Sequence, residues 1–327
     1  MANIVTMNTN LYDPFKNFDF LYKNCFLSGK TFQSEVVQIP LIPKWLMDLA
    51  GLTGEERIQF LDETIRTYNS LIIPINSEVN EQFLTPLEDT IKRAFTNGFE
   101  SVMALPEQDL FNWIGKFLYG FIYTEMHAAL RKEMTAHGLN MSQSLMMKFA
   151  NLNFMLQNLY TNVVFEEFSP WSIVIVKLED VETPFSFRDE INTLTFSIKM
   201  KDFGIIACMQ DNGTNKRYHK NIVEEVEGKA LTAEQFEELS ARFYYSAYLF
   251  NRLPEYTFMP VDGTIYIEDM PLRGNMTKPL FDVWQNKTYG QVLENFWKPW
   301  GYVLFEIIKN PDQPMSFFEN PNLPVAG

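Results

Sequence analysis

The longest hydrophobic pattern in the chain has the three- and four-residue spacing of an α-helix. It runs from Pro106 to Gly138, with acidic residues in its first turn and a glycine at its end. Its apolar face is formed by Leu110, Trp113, Ile114, Phe117, Leu118 and Phe121. A methionine-rich segment over 143–160 predicts a second helix.

Helix start and stop signals also occur earlier in the chain. The stretch "PKWLMDLAGL" predicts a short helix near Pro43, with proline in the first turn and glycine near the end. Thr53 is followed three residues later by Glu56, the spacing of a capping box, and predicts a helix from Thr53. Another helix is predicted to open at Pro86 and to end at Gly98.

After about residue 160 the pattern changes to short strand-like runs. The segments 171–180, 192–200 and 203–210 are rich in β-branched and aromatic residues and predict strands. Asp262 and Gly263 lie between two further runs of this kind, which predicts a hairpin.

Helices interrupt this second region, one from Thr232 and one over 291–309. The chain is therefore predicted to be an α+β protein. Its helix-rich part covers 1–160, and a region of mixed antiparallel strands and helices covers 161–327. No flexible linker separates the two parts, so they can also share one core.

Composition limits the class of protein further. The chain has 327 residues, of which 46% are hydrophobic and 15% aromatic, so it can bury a core without disulfides or metals. Two cysteines, Cys25 and Cys208, make no disulfide framework and fit a reducing compartment. The first ten residues lack the features of a signal peptide, and no apolar run is long enough to span a membrane. We therefore expect a cytoplasmic protein without a membrane partner.

The formal net charge is −14, from 41 acidic and 27 basic side chains. Nucleic-acid binding draws much of its affinity from Lys and Arg at phosphates. The basic residues form no long run, so the field of the chain should repel DNA and RNA. We do not expect nucleic acid as a partner.

One short stretch has the outline of a metal-binding knuckle. "CFLSGK", from Cys25 to Lys30, matches C-x-x-C-G-K with Ser28 in place of the second cysteine. A structural zinc site of the treble-clef type needs two such knuckles, each supplying two thiolates. The segment over 71–95 has the outline of the second knuckle and of the helix after it.

These features resemble the HNH-endonuclease-like proteins, whose fold is a treble clef. There a "CFLCG" knuckle precedes "EHVFPKWL", then a "CxxCNN" knuckle and a helix containing "LE". The segment "WIGKFLYGFIYTE" over 113–125 is similar to a helix that often comes next in these proteins. The resemblance covers roughly the first 135 residues, and its other matching positions are Cys25, Phe26, Leu27, Gly29, Pro43, Lys44, Trp45, Leu46, Pro74, Asn80, Leu87 and Glu88.

The departures from this pattern concern the chemistry. The four cysteine positions of the resemblance fall on Cys25, Ser28, Ile75 and Glu78. The histidine expected to activate water falls on Pro40, and proline can neither act as a base nor bind a metal.

The resemblance therefore implies a vestigial knuckle, with no catalytic residue, no metal and no cofactor. Pro43, Trp45 and Asn80 are motif remnants in this interpretation. The alternative is that "CFLSG" is an ordinary turn and that the match is accidental.

Other chemistry-bearing residues give weaker signals. His127 and His137 lie in or near the long predicted helix without an H-E-x-x-H arrangement, and we expect them on its surface or in packing. His219, in "KRYHK", is predicted to lie in a solvated basic loop. Cys208 is expected to be a buried, inert thiol.

Three functions fit these observations. The first is a non-catalytic protein that binds a protein or another ligand, with the knuckle kept as a fold element. The second is a nucleic-acid-processing protein whose site is rebuilt from residues such as Glu125 and His127. The third is an enzyme of unrelated chemistry in the C-terminal region, which a concave polar pocket there would favour. The sequence identifies neither the partner nor the oligomeric state.

Overall fold

A computed structural model shows an α+β protein and describes residues 11–16, 18–31, 37–60, 63–131, 141–179, 185–270, 272 and 277–318. Its described residues fall into two compact units. Unit 1 is drawn from Met1–Thr96, Leu105–Phe168 and Glu255–Met270, and unit 2 from Asn97–Ala104, Ser169–Pro254 and Pro271–Gly327. No helix among the described residues is long and apolar enough to cross a membrane.

The strands form small sheets in unit 1 and a larger sheet in unit 2. In chain order they are β1 (Val37–Pro40), β2 (Arg57–Gln59), β3 (Ile65–Thr67), β4 (Ile72–Ile75), β5 (Val163–Phe165), β6 (Ser172–Leu178), β7 (Ser186–Glu190), β8 (Thr195–Lys199), β9 (Phe203–Cys208), β10 (Ala230–Leu231), β11 (Tyr256–Val261) and β12 (Thr264–Asp269).

Helices occur in both units. They are α1 (Lys44–Ala50), α2 (Ser77–Val79), α3 (Thr85–Asn97), α4 (Phe99–Met103), α5 (Glu107–Arg131), α6 (Gln143–Leu156), α7 (Thr214–Tyr218), α8 (Lys220–Val226), α9 (Ala233–Leu249), α10 (Asn286–Phe296) and α11 (Leu304–Ile307). A wider π-helical turn, Asn80–Leu84, joins α2 to α3.

Unit 1 is built around α5. Almost every residue of this helix from Leu110 to Ala129 is buried, including the polar residues Asn112, Lys116 and Glu125. Gly120 lets α5 approach the loop between β1 and α1 closely, since a Cβ there would collide with Leu41. Antiparallel pairs β1–β4 and β2–β3 and the sheet β11–β12–β5 complete the unit.

Unit 2 is a five-stranded sheet in the order β10–β6–β9–β8–β7, antiparallel except for the β10–β6 pair. Helix α9 covers one face, where Phe236, Leu239 and Phe243 pack against apolar side chains of β6 and β9. Helix α10 packs on α9 through a second apolar cluster that includes Tyr289 and Leu293. Strand β7 is the edge of the sheet that lies farthest from β10.

Several predicted elements are confirmed. The helices predicted near Pro43, over 106–138, over 143–160 and from Thr232 correspond to α1, α5, α6 and α9, although Gly138 and His137 lie outside the described residues. The predicted strands correspond to β6, β8 and β9. Asp262 and Gly263 form the turn between β11 and β12 with positive φ angles of 48° and 81°.

The helix predicted from Thr53 is wrong, because the chain forms the β2–β3 hairpin there. One of the two contacts of a capping box nevertheless exists: the Thr53 amide donates to Glu56 Oε1 at 3.0 Å, and the Thr53 hydroxyl donates to the same oxygen at 3.1 Å. A bond between Thr53 and Glu56 thus closes a turn without starting a helix, since the next residues find strand partners instead.

Two further boundaries differ from prediction. Helical structure begins at Ser77 rather than at Pro86, because Asn76 Oδ1 accepts the amides of Glu78 and Val79 and caps the earlier start. The single helix predicted over 291–309 is instead α10, a 3₁₀ turn at Lys298–Trp300 and α11. Strand β7 was not predicted.

Candidate functional site

The knuckle segment folds as a tight turn. The Cys25 amide donates to the Lys30 carbonyl at 3.0 Å, and the Gly29 amide donates to the Cys25 carbonyl at 2.9 Å. Gly29 has a φ of +63°, a conformation that favours glycine. The Ser28 amide approaches Cys25 Sγ at 3.5 Å. Backbone bonds therefore close this turn.

The four positions that would bind zinc have different environments. Cys25 and Ile75 are fully buried, Ser28 is half-buried and Glu78 is exposed. The Phe26 amide donates to the Pro74 carbonyl at 2.9 Å, which holds the turn against β4 next to Ile75. An aliphatic side chain cannot ligate a metal, so these residues do not fit a tetrahedral zinc site. Among the residues that the structure describes, no group of three His, Cys, Asp or Glu could hold a metal.

Side chains of unit 1 fasten the segment that contains the turn. The Tyr160 hydroxyl donates to the Leu27 carbonyl at 3.0 Å, and the Tyr123 hydroxyl donates to the Leu21 carbonyl at 2.9 Å. Burial raises the pKa of both tyrosines, so both remain donors at neutral pH. Two side-chain hydrogen bonds to backbone carbonyls thus hold this segment in place.

Motif residues from three separate segments meet at one carboxylate. Glu88 Oε2 accepts the indole N–H of Trp45 at 2.8 Å and that of Trp113 at 3.3 Å, while Oε1 pairs with the ammonium group of Lys116. Lys116 is buried and the Glu88 side chain is largely buried. In this Glu88 cluster both carboxylate oxygens are engaged by protein donors, so the carboxylate has a structural role.

The other motif remnants are helix-terminal residues. Pro43 precedes the first residue of α1 with an extended conformation, φ −63° and ψ 140°. Asn80 begins the π-helical turn, where its amide donates to the Asn76 carbonyl at 2.9 Å.

Unit 2 contains a groove of about 770 Å³ at the edge of its sheet. One wall is β7 with the turn after it, and the others are α9 and α10. The groove is lined by Arg188, Asp189, Glu190, Asn192, Thr193, Tyr244, Tyr245, Tyr248, Thr288, Gln291, Val292, Asn295 and Phe296. Its size and its mixture of aromatic rings with amide, hydroxyl and charged groups are typical of a ligand site.

Arg188 is held in place by several contacts of its guanidinium group. Its Nε lies 3.3 Å from Glu237 Oε2, and its Nη1 and Nη2 lie 3.5 Å from Asn295 Oδ1 and the Phe296 carbonyl. The guanidinium also stacks 4.4 Å from the centre of the Phe296 ring. Arg188 therefore joins β7 to α9 and α10 and fixes the wall of the groove.

Two carboxylates come directly after Arg188 on the same strand. Burial and then the adjacent Glu190 raise the pKa of Asp189 to about 6. Glu190 Oε1 accepts the backbone and side-chain N–H groups of Asn192, at 3.0 and 2.8 Å. Because neighbouring strand residues point to opposite faces of a sheet, the Glu190 side chain shares the face of Arg188, and the Asp189 side chain lies on the other face of β7. Tyr248, whose side chain is 75% exposed, lies at its rim.

His219 does not lie in a solvated loop, and this prediction is wrong. The imidazole is buried, with Nε2 2.9 Å from Ser246 Oγ, and Ser246 in turn donates to Asn215 Oδ1 at 2.6 Å. Burial first and the charge of Arg242 second lower the pKa of His219 to about 3. Because Ser246 is also fully buried, this serine and histidine cannot reach a substrate. Their role is in packing.

The remaining predicted residues have ordinary roles. Cys208 is buried, as predicted for an inert thiol. His127 is half-buried, stacks on Tyr22 with ring centres 4.0 Å apart, and bonds through Nδ1 to the Phe20 carbonyl. Glu125 is buried within α5.

The groove could not be found in the sequence because its walls are distant in the chain. The signals that were present are local: Tyr244 and Tyr248 lie one helical turn apart, and Arg188, Asp189 and Glu190 are consecutive. Neither feature indicates a cavity without the position of α10.

No family model, no curated protein and no solved structure matches this chain.

Proposed function

We propose that the protein is a non-catalytic, cytoplasmic binding protein that takes a ligand in the groove of unit 2. In this proposal unit 1 is a scaffold that carries a metal-free treble-clef remnant. The observation that carries the proposal is the groove itself, where side chains from β7, α9 and α10 converge around a volume of about 770 Å³.

Binding is favoured over catalysis by the chemistry of the lining. The described residues of the groove contribute carboxyl, amide, hydroxyl and guanidinium groups, and Arg188 is already committed to protein partners. Lining of this kind can orient a polar ligand. His219 and the two cysteines are buried elsewhere, so a pair of catalytic groups would have to come from Asp189 and Glu190.

The resemblance to HNH-endonuclease-like proteins enters this proposal as a fold relationship only. It is supported by the convergence of Trp45, Trp113 and Lys116 on Glu88, all four being matching positions of the motif. It is also supported by the contact between the knuckle turn and β4. Cys25 is the one thiol among the four zinc-binding positions, and Pro40 replaces the histidine that would activate water, which argues against metal-dependent cleavage.

A fragment screen tests the binding proposal. Ligand-observed NMR with a library of small polar fragments would be run on the wild-type protein and on Val292→Trp, whose indole should fill the groove. Glu227→Trp, at an exposed position of unit 2, is the control. We expect fragments whose signals are lost with Val292→Trp and kept with Glu227→Trp. If every fragment binds the two variants equally, the groove is not a binding site.

The second candidate is a nucleic-acid-processing role for unit 1. One observation favours it: the charges of Arg66 and Arg131 both act on Tyr22 and His127, which stack on each other. This is a small basic group on an acidic chain. A mobility-shift experiment at low salt tests it, and Arg66→Gln should weaken any shift that depends on this group.

A further inference from the structure

We propose that the groove binds a neutral saccharide. This inference rests on the proposed function and names the ligand class of the same site. It is drawn from the balance of charges on the walls of the groove, from the polar groups that α10 leaves without a protein partner, and from the exposed ring at the rim.

The charges on the α9 face of the sheet cancel one another. Arg188 and Glu190 share this face of β7, and Lys199 of β8 reaches the same buried carboxylate of α9 as Arg188 does. That carboxylate is Glu237, whose oxygens lie 3.3 Å from Arg188 Nε and 3.2 Å from Lys199 Nζ. The lining residues of α9 and α10 are uncharged. Two cations thus face two carboxylates, and a ligand with a net charge would find no counter-charge left over.

The α9 wall offers aromatic surface rather than polar groups. The Tyr244 hydroxyl donates to the Arg188 carbonyl at 2.7 Å, so its polar end is already committed and its ring is held in place. Tyr248 follows one helical turn later at the rim of the groove, with 75% of its side chain exposed. A sugar ring has an apolar face of C–H groups, and the face of an aromatic ring is a surface on which it can stack.

The α10 wall offers a row of groups that both donate and accept hydrogen bonds. Thr288, Gln291 and Asn295 recur at helical spacing along the groove and are exposed. The Thr288 hydroxyl and the Gln291 amide form no hydrogen bond within the part of the chain that the structure describes. Asn295 Oδ1 lies 3.5 Å from Arg188 Nη1, which leaves the Nδ2 donors for a ligand. The row is about 10 Å long, so it can contact several groups of one ligand.

A saccharide matches both walls. Each sugar hydroxyl donates one hydrogen bond and accepts others, as the amide and hydroxyl groups of α10 require. Glu190 keeps one carboxylate oxygen to accept a sugar hydroxyl, because both N–H groups of Asn192 bond to its Oε1. An apolar ligand would leave the α10 groups without partners, and a charged ligand would lack a counter-charge.

The experiment is a saccharide panel read by saturation-transfer NMR. The probes are glucose, galactose, mannose, xylose, N-acetylglucosamine, maltose, cellobiose and lactose. We expect at least one of them to bind the wild-type protein and Glu227→Trp, and to lose its signal with Val292→Trp, which fills the groove.

Charged counterparts test the neutrality of the ligand. The uronic acid and the amino sugar related to the strongest binder (glucuronate and glucosamine in the case of glucose) should bind at least about threefold more weakly, because neither charge finds a partner in the groove. The methyl glycosides of the strongest binder decide between a free sugar and one that is linked through its anomeric carbon.

Variants of exposed residues locate the contacts. Gln291→Ala removes a polar partner and Tyr248→Ala removes the stacking surface, and each should weaken saccharide binding by about three- to tenfold. Gln313→Ala and Phe305→Ala are matched controls at exposed positions of unit 2 outside the groove lining, and both should leave binding unchanged. Circular dichroism checks that each variant is folded.

The outcomes separate the two proposals. Equal binding of the neutral and charged sugars, or equal losses with Gln291→Ala and Gln313→Ala, overturns the saccharide inference. If polar fragments bind in a Val292→Trp-sensitive way while no saccharide of the panel does, the saccharide inference fails and the groove remains a binding site for another ligand class. If neither fragments nor saccharides bind, the proposed function fails with it.

Discussion

Single residues in this protein have roles that their motif positions do not reveal. Glu88 matches a motif position in the sequence, yet in the structure it accepts two indole N–H groups and pairs with the buried ammonium of Lys116. A carboxylate with these partners neutralises a charge that α5 places among aromatic neighbours. Glu88 therefore contributes to stability rather than to catalysis.

Replacing this carboxylate should be costly. Glu88→Gln keeps the size of the side chain but leaves Lys116 buried without its counter-charge, and we expect a loss of about 3 kcal/mol in the free energy of unfolding. Asp89→Asn, at the next and exposed position of α3, should change it by less than about 0.5 kcal/mol. Urea denaturation measures both. Equal effects of the two variants would mean that the Glu88 cluster is not energetically important.

At the scale of elements, the local sequence pattern predicted two kinds of element. These are hairpins, whose strands are close in sequence, and helices, whose apolar face is continuous. Helices α5 and α9 have uninterrupted helical periodicity, and the β11–β12 turn has Asp262 and Gly263 at positions that need positive φ. The β2–β3 hairpin was missed because the bond between Thr53 and Glu56 fits either a helix start or an isolated turn. Tertiary partners, which the local sequence does not contain, decide whether the chain continues from this turn as helix or as strand.

The stability of the knuckle turn tests whether hydrogen bonds hold this segment without a metal. If hydrogen bonds have replaced the metal, Tyr160→Phe should lower the free energy of unfolding by about 1 kcal/mol, because the Leu27 carbonyl loses its donor. Tyr119→Phe is the matched control: its hydroxyl is buried and has no hydrogen-bond partner among the described residues, so its removal should be neutral or stabilising.

Metal analysis of the wild-type protein and of Cys25→Ala tests whether the knuckle turn holds zinc. Protein purified without chelator should contain far less than one zinc per chain, and EDTA should leave its melting temperature unchanged. Stoichiometric zinc that is lost in Cys25→Ala would contradict a vestigial site. The nuclease hypothesis would then need to be tested again with Mg²⁺ or Mn²⁺ and plasmid DNA.

At the scale of the whole molecule, the groove illustrates what the sequence could not provide. Its walls come from β7, α9 and α10, and Arg188 contacts Glu237 and Asn295, which are 49 and 107 residues away in the chain. The surrounding periodicity identified α9 correctly but missed β7 and misplaced α10. A site made from three elements at such separations depends on their packing, which hydrophobic spacing does not specify.

Buried titratable groups of unit 2 also influence the stability of the chain as a function of pH. The pKa of His219 is about 3 in the folded state, against 6.5 for a free histidine. Below pH 6.5 the unfolded state therefore binds more protons, and folding loses up to about 1.4 kcal/mol per pH unit until about pH 3. Above pH 6.5 this contribution is fully retained.

The titration of Asp189 changes the stability of the fold with pH in the opposite direction. Its pKa is raised from 3.8 to about 6, so the folded state binds more protons between these values, and its contribution to stability decreases as the pH rises through that range. The pH dependence of the stability of the wild-type protein is therefore a sum of opposing contributions. A single stability curve does not separate the contribution of His219 from that of Asp189.

A comparison of slopes isolates the histidine. His219→Gln removes the titrating group and keeps a side chain that can bond to Ser246, so its stability should decline less steeply than that of the wild-type protein between pH 6.5 and pH 4. Asp189→Asn should change the slope in the opposite sense. The measurement is the free energy of unfolding in urea at several pH values, followed by both fluorescence and circular dichroism because the two units can unfold separately. A constant offset between the wild-type and His219→Gln curves would show that His219 takes up its proton equally in both states, which is incompatible with a buried, neutral imidazole.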